Sequence, residues 1–238
     1  MKSISDLKVR IFADGADKEG MLDMYRNPLI KGFTTNPTLL RKAGVADYSE
    51  FALDILKCIP DRSISFEVLS DEFEEMETQA RKISGWGKNV FVKIPVTNTR
   101  SESSINLIKS LSRSWIKLNV TAVMTLDQVW DIAQALNQDI PAYISLFAGR
   151  VADTGRDPIP LMTAAVEMLR LYPRFDLIWA SPRELLNIFQ ADAIECPIIT
   201  VTNEVLKKLN LVGKDLREFS LETVKMFRDD AVKAGYCL

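Results

Sequence analysis

The sequence has 238 residues, of which 47% are hydrophobic and 26% are charged, a composition typical of a globular protein. The net charge of −2 gives no reason to expect a nucleic acid or a membrane surface as a partner. No apolar run approaches the roughly 20 residues that a membrane-spanning helix needs. The N-terminal segment MKSISDLKVRIFADGAD also turns polar too early for a signal peptide.

The reactive residue types narrow the chemistry further. Cys58, Cys196 and Cys237 are far apart and odd in number, which indicates neither a disulfide framework nor a zinc site and fits a reducing cytoplasm. The chain contains no histidine, which rules out Ser-His-Asp hydrolases and zinc-dependent aldolases. Any acid–base chemistry therefore falls to Asp, Glu, Lys, Tyr or bound water.

Short apolar runs alternate along the chain with amphipathic segments whose apolar residues recur every three or four positions. The predicted strands span residues 8–14, 30–35, 63–68, 90–94, 117–121, 142–147, 177–181 and 197–201. The predicted helices span residues 18–27, 48–59, 71–86, 102–115, 125–137, 158–172, 182–191, 202–209 and 221–234.

This alternation predicts a single (β/α)₈ TIM barrel over residues 1–238. Such a barrel needs roughly 250 residues, so the length fits if the loops are short. A doubly wound open sheet is the alternative. That fold usually carries a glycine-rich phosphate turn after its first strand, and ADGADKEG does not match GxGxxG.

Polar residues near the carboxyl ends of six predicted strands fall on one face, because alternate strand residues point inward in a barrel. We expect these side chains to meet at the C-terminal mouth, where barrel enzymes keep their active sites. They are Asp14, Thr34, Asn36, Ser65, Glu67, Lys93, Asn119, Thr121 and Ser145, with Phe147 on the same face as Ser145.

Lys93 interrupts the apolar strand NVFVKIPVTN, and a buried ammonium costs several kcal/mol unless it is paired or loses its proton. One interpretation is that the side chain extends to solvent. The other is that an apolar mouth depresses the pKa of Lys93, so that its neutral amine attacks a ketone and forms a Schiff base. Asp14 and Glu67 would then move protons in place of the absent histidine.

A phosphate site is indicated at two late strands. Arg150 follows the sixth predicted strand, and Ser181 and Arg183 end the seventh strand and open a helix in ASPRE. Arginine matches phosphate oxygens, and helix N-termini favour anions. The same segment is also a fair helix cap, with Ser181 as the N-cap and Glu184 at the third position.

Six motifs, in order over almost the whole chain, resemble the transaldolase family. They are IFADGAD, GFTTNPTLL, VKIPVTN, LNVTAVMT, ISLFAGRVAD and WASPRE. The short length is similar to the compact subgroup that includes fructose-6-phosphate aldolases. The resemblance implies a (β/α)₈ barrel that needs no metal or cofactor and transfers a dihydroxyacetone unit between sugar phosphates.

The resemblance also implies a role for each matching residue. Lys93 matches the Schiff-base lysine, and Asp14 matches the acid–base carboxylate of carbon–carbon cleavage. The remaining matches are Glu67 and Thr121 for the catalytic water, Asn36 and Asn119 for the dihydroxyacetone hydroxyls, Thr34 and Ser145 for the pocket, and Arg150, Ser181 and Arg183 for the phosphate clamp.

Substrate choice stays open at this stage. Fructose-6-phosphate aldolases usually carry Gln at the Glu67 position and Tyr at the Phe147 position, so this chain resembles transaldolases more. An aldolase that releases dihydroxyacetone, a transaldolase of a specialised sugar pathway and a non-catalytic sugar-phosphate-binding barrel are the alternatives. Pro182 stands where the family usually has Phe. The loop TNTRSESS, which includes Arg100, is either a solvated loop or a contact to the acceptor sugar.

Assembly is indicated only by the last helix, roughly residues 216–236, whose apolar residues suit one stripe. Compact relatives form pentamers and decamers in which a C-terminal helix contacts the next subunit. The resemblance therefore implies a homo-oligomer.

Overall fold

The structure is a computed structural model that describes residues 3–236, so Cys237 lies outside the described residues. Eight parallel strands close into a barrel in chain order, β1 to β8, with β8 pairing to β1. The strands are β1 (Arg10–Asp14), β2 (Ile30–Thr34), β3 (Ser63–Glu67), β4 (Val90–Pro95), β5 (Leu118–Val123), β6 (Ala142–Leu146), β7 (Phe175–Trp179) and β8 (Ile198–Thr202). The predicted TIM barrel is confirmed, and the open-sheet alternative is wrong.

The helices cover the outside of the barrel. They are α1 (Lys18–Arg26), α2 (Pro37–Lys42), α3 (Tyr48–Cys58), α4 (Phe73–Ser84), α5 (Ile105–Arg113), α6 (Leu126–Ala135), α7 (Ala148–Asp153), α8 (Pro158–Leu169), α9 (Leu186–Ala193), α10 (Asn203–Leu206) and α11 (Leu216–Lys233). Short 3₁₀ turns cover Ile4–Asp6 and Lys207–Leu211. Within the described range, no helix is both long and apolar enough to cross a membrane.

Two short helices, α2 and α7, were not predicted, because six residues are too few to show a helical period. Both lie soon after strands, in segments for which the sequence predicts no helix or strand. Each begins at the barrel mouth, so each places side chains of the candidate site. A third difference concerns α9, which begins at Leu186, four residues later than predicted.

The apolar residues form two clusters, as the strand alternation predicts. The larger cluster lies between the barrel wall and the helices, and includes Phe66, Val92 and Val120. The smaller one fills the barrel interior, and we call it the floor cluster: Phe12, Phe91, Tyr143, Ile178, Ala180 and Ile198. The floor cluster closes the barrel interior below the polar mouth.

The ring of Phe12 shows how tightly the floor is packed. A Cβ atom on Gly32 of the neighbouring strand would lie only 2.6 Å from that ring. The rings of Phe91 and Tyr143 stack with centroids 4.0 Å apart. Glycine at position 32 therefore leaves the space that the Phe12 ring occupies.

Candidate active site

A cavity of about 530 Å³ opens at the C-terminal mouth of the barrel. All of the side chains expected at the mouth except Ser65 and Asn119 line it. The two-residue period of the strands explains this convergence, because the last inward positions of neighbouring parallel strands meet above the floor cluster. Asn119 lies one layer lower and is fully buried.

Lys93 is buried at the bottom of this cavity and does not extend to solvent, since it is only 6% exposed. Its Nζ donates to the backbone carbonyl of Thr35 at 2.7 Å. The same Nζ lies 3.1 Å from Oε2 of Glu67. Two acceptors on neighbouring strands therefore hold the amine in one position at the cavity wall.

Asp14 stands at the end of β1. Burial raises the pKa of its carboxyl above the usual value near 3.8, while the charge of Lys93 and a hydrogen bond from Thr34 oppose the rise. Thr34 donates to Oδ1 of Asp14 at 2.7 Å, and the Asn36 amide lies 3.5 Å from Oδ2. A carboxyl group with a raised pKa in a cavity is suited to exchanging protons with a ligand.

Asn36 has a double role that follows from its place at the start of α2. Its Oδ1 accepts from the backbone N–H of Leu39 and caps the helix, which begins with Pro37. The cap fixes the amide so that Nδ2 faces Asp14 and the cavity. A local helix signal thus orients a site residue.

Glu67 is held by its backbone as well as by Lys93. The Tyr48 hydroxyl accepts from the Glu67 N–H at 2.8 Å and donates to the Glu67 carbonyl at 3.1 Å. Tyr48 packs edge-on against Phe66 and Trp86, and burial raises the pKa of its hydroxyl. This clamp from α3 holds the end of β3 in place.

Thr121 follows a break in the regular pairing of β5 with β6. The next residue, Ala122, has φ of 61°, the left-handed region that costs a non-glycine residue roughly 1–2 kcal/mol. The Thr121 hydroxyl is buried and has no hydrogen-bond partner among residues 3–236. The bulge therefore leaves a hydroxyl free at the cavity wall for a ligand or a water molecule.

Asn119 joins two side chains under the cavity. It accepts a hydrogen bond from Ser145 at 2.7 Å and donates one to Ser65 at 3.0 Å. Ser145 lines the cavity, whereas Asn119 is fully buried. In this arrangement Asn119 positions Ser145.

Helix α7 and the loop after β7 carry the two arginines of the cavity. The guanidinium of Arg150 lies 5.8 Å from the centre of the Phe147 ring. An added Cβ on Gly149 would lie 1.5 Å from the Ser181 carbonyl oxygen, so only glycine lets α7 and this loop meet. Ser181 itself takes a left-handed φ of 60° at this contact.

Arg183 is held by Asp153. Its Nε and Nη2 both donate to the Asp153 carboxylate, which lowers the pKa of that carboxyl. Arg183 also lines the cavity, and its Nη1 carries further N–H donors that take no part in these two bonds. Asp153 therefore orients Arg183, and sequence reasoning did not identify it.

The predicted helix cap at Ser181 is wrong. An N-cap residue has an extended backbone, and Ser181 is left-handed because its carbonyl meets Gly149. The N–H groups of Arg183 and Glu184 donate to the Asn187 side chain instead. The helix that follows, α9, therefore begins only at Leu186.

Arg100 turns to acidic partners in the neighbouring loop. Its guanidinium binds both carboxylate oxygens of Glu72, at 2.7 and 3.0 Å, and also contacts Glu102. Asp71 accepts from the backbone and side chain of Thr99. These contacts tie the loop after β4 to the loop after β3, beside the strands that carry Lys93 and Glu67.

Two further cavity residues were missed by sequence reasoning. Thr200 on β8 lies 2.5 Å from the Thr34 hydroxyl, and Lys42 on α2 lines the wall beside Asp14. The alternation Ile198, Thr200, Thr202 could have identified Thr200 as an inward residue. Lys42 gives no such signal, because its six-residue helix is too short to show a helical period.

The chain is similar to known proteins over most of its length. The family model described as Transaldolase/Fructose-6-phosphate aldolase matches residues 11–236. A "Probable transaldolase" of Dehalococcoides mccartyi is 33% identical over 84% of this chain and 90% of its own length. Another, of Thermoanaerobacter sp., is 31% identical over 95% of this chain and 99% of its own.

Solved structures show the same fold at low identity. KGPDC from Streptococcus mutans is 12% identical with a TM-score of 0.58, over 84% of this chain and 90% of that one. A 3-hexulose-6-phosphate synthase is also 12% identical with a TM-score of 0.58, over 82% and 90%.

The fold and the site define a (β/α)₈ barrel with a lysine and two carboxylates at its C-terminal mouth. The chain belongs to the transaldolase/fructose-6-phosphate aldolase family.

Proposed function

We propose that this protein is a transaldolase, which moves a dihydroxyacetone unit from a ketose phosphate to an aldose phosphate through a Schiff base on Lys93. The observation that carries the proposal is the Lys93 amine, buried at the cavity wall, with Glu67 3.1 Å away and Asp14 lining the same cavity. The resemblance suggests sedoheptulose 7-phosphate or fructose 6-phosphate as donor, and glyceraldehyde 3-phosphate or erythrose 4-phosphate as acceptor.

Imine formation begins when Lys93 gives a proton to Glu67 through their contact. The neutral amine then adds to the ketose carbonyl, a carbon–nitrogen bond forms as the carbon–oxygen π bond breaks, and a proton moves from the nitrogen to the oxygen. Glu67 returns its proton to that oxygen, which leaves as water, and the iminium remains. The free hydroxyl of Thr121 and the carboxylate of Glu67 are suited to hold the departing water.

Cleavage then depends on Asp14. Its carboxylate takes the proton of the hydroxyl two carbons beyond the iminium carbon. The intervening carbon–carbon bond breaks, its electron pair moves into the iminium to give an enamine, and an aldose leaves. The enamine adds to the incoming aldehyde, Asp14 returns its proton, and hydrolysis of the new imine frees the product and Lys93.

The two arginines fit the substrate phosphate at the far end of the cavity. Arg183 keeps one side of its guanidinium free because Asp153 occupies the other. Arg150 and the Ser181 hydroxyl line the same end. Guanidinium groups bind phosphate oxygens through paired N–H donors, so this end selects phosphorylated sugars.

Trapping the imine tests the proposal. The protein is incubated with fructose 6-phosphate and borohydride, and adducts are mapped by mass spectrometry. We expect a reduced sugar adduct on Lys93. Lys117, a lysine at the opposite end of the barrel near Phe91, supplies the control. Lys117→Ala should keep the adduct, and Lys93→Ala should lose it.

An adduct on another lysine, or none with fructose 6-phosphate or sedoheptulose 7-phosphate, would contradict the proposal. The second result would favour a barrel that only binds sugar phosphates.

A related assay separates transaldolase from aldolase. Without an acceptor aldehyde, a transaldolase releases little free dihydroxyacetone, whereas an aldolase releases it continuously. Glu67 and Phe147, the transaldolase-type residues, lead us to expect the former.

We also propose a homo-oligomer assembled through α11. This helix buries none of its residues against its own barrel, and Val224 and Phe227 are 60% and 64% exposed. An apolar helix face without cover favours association with a second copy. Sedimentation velocity of wild type and Phe227→Asp tests this, and a wild-type monomer would contradict it.

A further inference from the structure

Three side chains on adjacent strands form a continuous line of hydrogen-bond contacts that ends on Asp14. Thr34 donates to Oδ1 of Asp14 at 2.7 Å, and the Thr34 hydroxyl oxygen lies 2.5 Å from that of Thr200. The strands β8, β1 and β2 are neighbours in the barrel, so inward residues of all three can touch. Thr200 is only 6% exposed and lines the cavity.

The direction of these bonds follows from counting protons. A hydroxyl carries a single proton. Because the Thr34 proton points to Asp14, the proton in the Thr34–Thr200 contact must come from Thr200. The order of donation is therefore Thr200 to Thr34 to Asp14 whenever Thr34 serves Oδ1.

We propose that Thr200 is a positioning residue for proton transfer at Asp14, because its hydroxyl holds the Thr34 proton on Oδ1 and so reserves Oδ2 for the substrate. Oδ2 is the oxygen that faces the Asn36 amide. The inference rests on the proposed function, in which Asp14 takes a hydroxyl proton and later returns it.

Loss of the Thr200 hydroxyl changes which hydrogen bonds the Thr34 hydroxyl can make. Without a donor to its oxygen, the Thr34 hydroxyl is free to accept instead of donate. Asp14 could then be protonated on Oδ1, with that proton turned away from the substrate. This carboxyl form cannot return a proton to the growing sugar, and the hydrogen bond that favours the carboxylate is weakened as well.

Other charged groups act on Asp14 but do not depend on Thr200. Lys93 lowers the pKa of Asp14 and Glu67 raises it, and both remain in a Thr200 variant. The other charged side chains that line the cavities around Asp14 are Asp17, Lys42, Arg150, Arg183 and Glu204. A change in pH dependence on substitution of Thr200 would therefore come from the hydroxyl line.

Two variants of Thr200 separate the hydroxyl from the side-chain shape. Thr200→Val keeps the shape and removes the donor, and Thr200→Ser keeps the donor. Thr163→Val is the matched control, since Thr163 lies on α8 outside the barrel and bonds to Ile159 of its own helix. The measurements are kcat and KM over pH, with borohydride trapping on Lys93 in parallel.

We expect Thr200→Val to lower kcat about 10-fold to 100-fold, which is less than the roughly 10²–10⁴-fold of a whole general acid–base group because Asp14 itself remains. The acid limb of its pH profile should move to higher pH, while KM and the trapped adduct stay near wild type. Thr200→Ser should recover most of kcat, and Thr163→Val should match wild type.

Each remaining outcome counts against the inference. A wild-type pH profile and kcat in Thr200→Val would overturn it, as would a Thr200→Ser variant as impaired as Thr200→Val, which would indicate a packing role. If wild type forms no adduct on Lys93, the proposed function fails and the inference falls with it. If wild type forms the adduct but Thr200→Val is unimpaired, only the inference fails.

Discussion

The two ends of the barrel interior are built from opposite materials. The floor cluster is apolar and densely packed, with stacked rings at Phe91 and Tyr143. The mouth, two residues further along the same strands, holds a buried lysine, a carboxyl with a raised pKa and an unpartnered threonine hydroxyl within the described chain. Packing in the floor cluster stabilises the folded barrel. The buried polar groups at the mouth lower that stability.

Two lysines, one at each end of the barrel, show the same difference in surroundings. Lys93 at the mouth faces a carboxylate and a carbonyl. Lys117 at the other end lies over the Phe91 ring and donates to the Lys88 carbonyl, and burial lowers the pKa of its amine. A lowered pKa therefore does not decide which lysine we propose as reactive. The proposal for Lys93 rests on the carboxylates near its amine and on the cavity in front of it.

The largest expected effect comes from replacing Lys93 with methionine, and the same replacement of Lys117 is the control. Lys93→Met should lower transfer of the three-carbon unit by about 10⁴-fold or more, because the nucleophile is removed. Lys117→Met should keep the rate within about threefold of wild type. Both rates are measured with fructose 6-phosphate and an aldose phosphate acceptor, and circular dichroism checks that both variants fold. Equal losses in the two variants would contradict the distinction between the ends.

Substitutions in the floor cluster should change the free energy of unfolding. Phe91→Ala should lower the free energy of unfolding by about 3–5 kcal/mol, since it removes a buried ring that stacks on Tyr143. Denaturant titration measures the change. Phe91→Leu is the control and should cost less, because it refills most of the space. A small loss in Phe91→Ala would mean that the floor cluster collapses to fill the gap.

Much of this contrast could be predicted from the sequence. The two-residue period placed Asp14, Glu67 and Lys93 inward, and the closed barrel brought them together. The grip of Tyr48 on Glu67 could not be predicted, because it joins residues 19 positions apart through a helix–strand contact. Ser181 was misread because its left-handed backbone depends on a tertiary contact with Gly149.

That contact offers a way to disturb the phosphate end of the mouth alone. Gly149→Ala would bring a methyl group against the Ser181 carbonyl and push helix α7, which carries Arg150, away from the loop that carries Arg183. We expect a stability loss of about 1–3 kcal/mol from overpacking. We also expect KM for phosphorylated donors to rise roughly 10-fold or more, since a hydrogen bond to a charged group contributes about 1.5–3 kcal/mol.

Gly85→Ala provides the control for this substitution. Gly85 has ordinary right-handed φ and would place its Cβ 3.4 Å from the nearest atom, the Lys82 carbonyl oxygen. Its KM for phosphorylated donors should equal that of wild type. A normal KM in Gly149→Ala would mean that the two arginines do not act together on the phosphate.

The smallest expected effect tests whether Asp14 costs stability. Its pKa is raised in the folded state, so above that pKa the carboxylate is less favourable in the folded protein than in the unfolded chain. Asp14→Asn should therefore raise the denaturation midpoint at pH 7 relative to wild type. As pH falls through the folded pKa toward 3.8, wild type becomes protonated and the difference should close.

Asp131→Asn, at an exposed position on α6, should show no such pH-dependent gap. If Asp14→Asn instead unfolds more readily at pH 7, Lys93 and Thr34 fully compensate the carboxylate, and the mouth holds this charge without loss of stability.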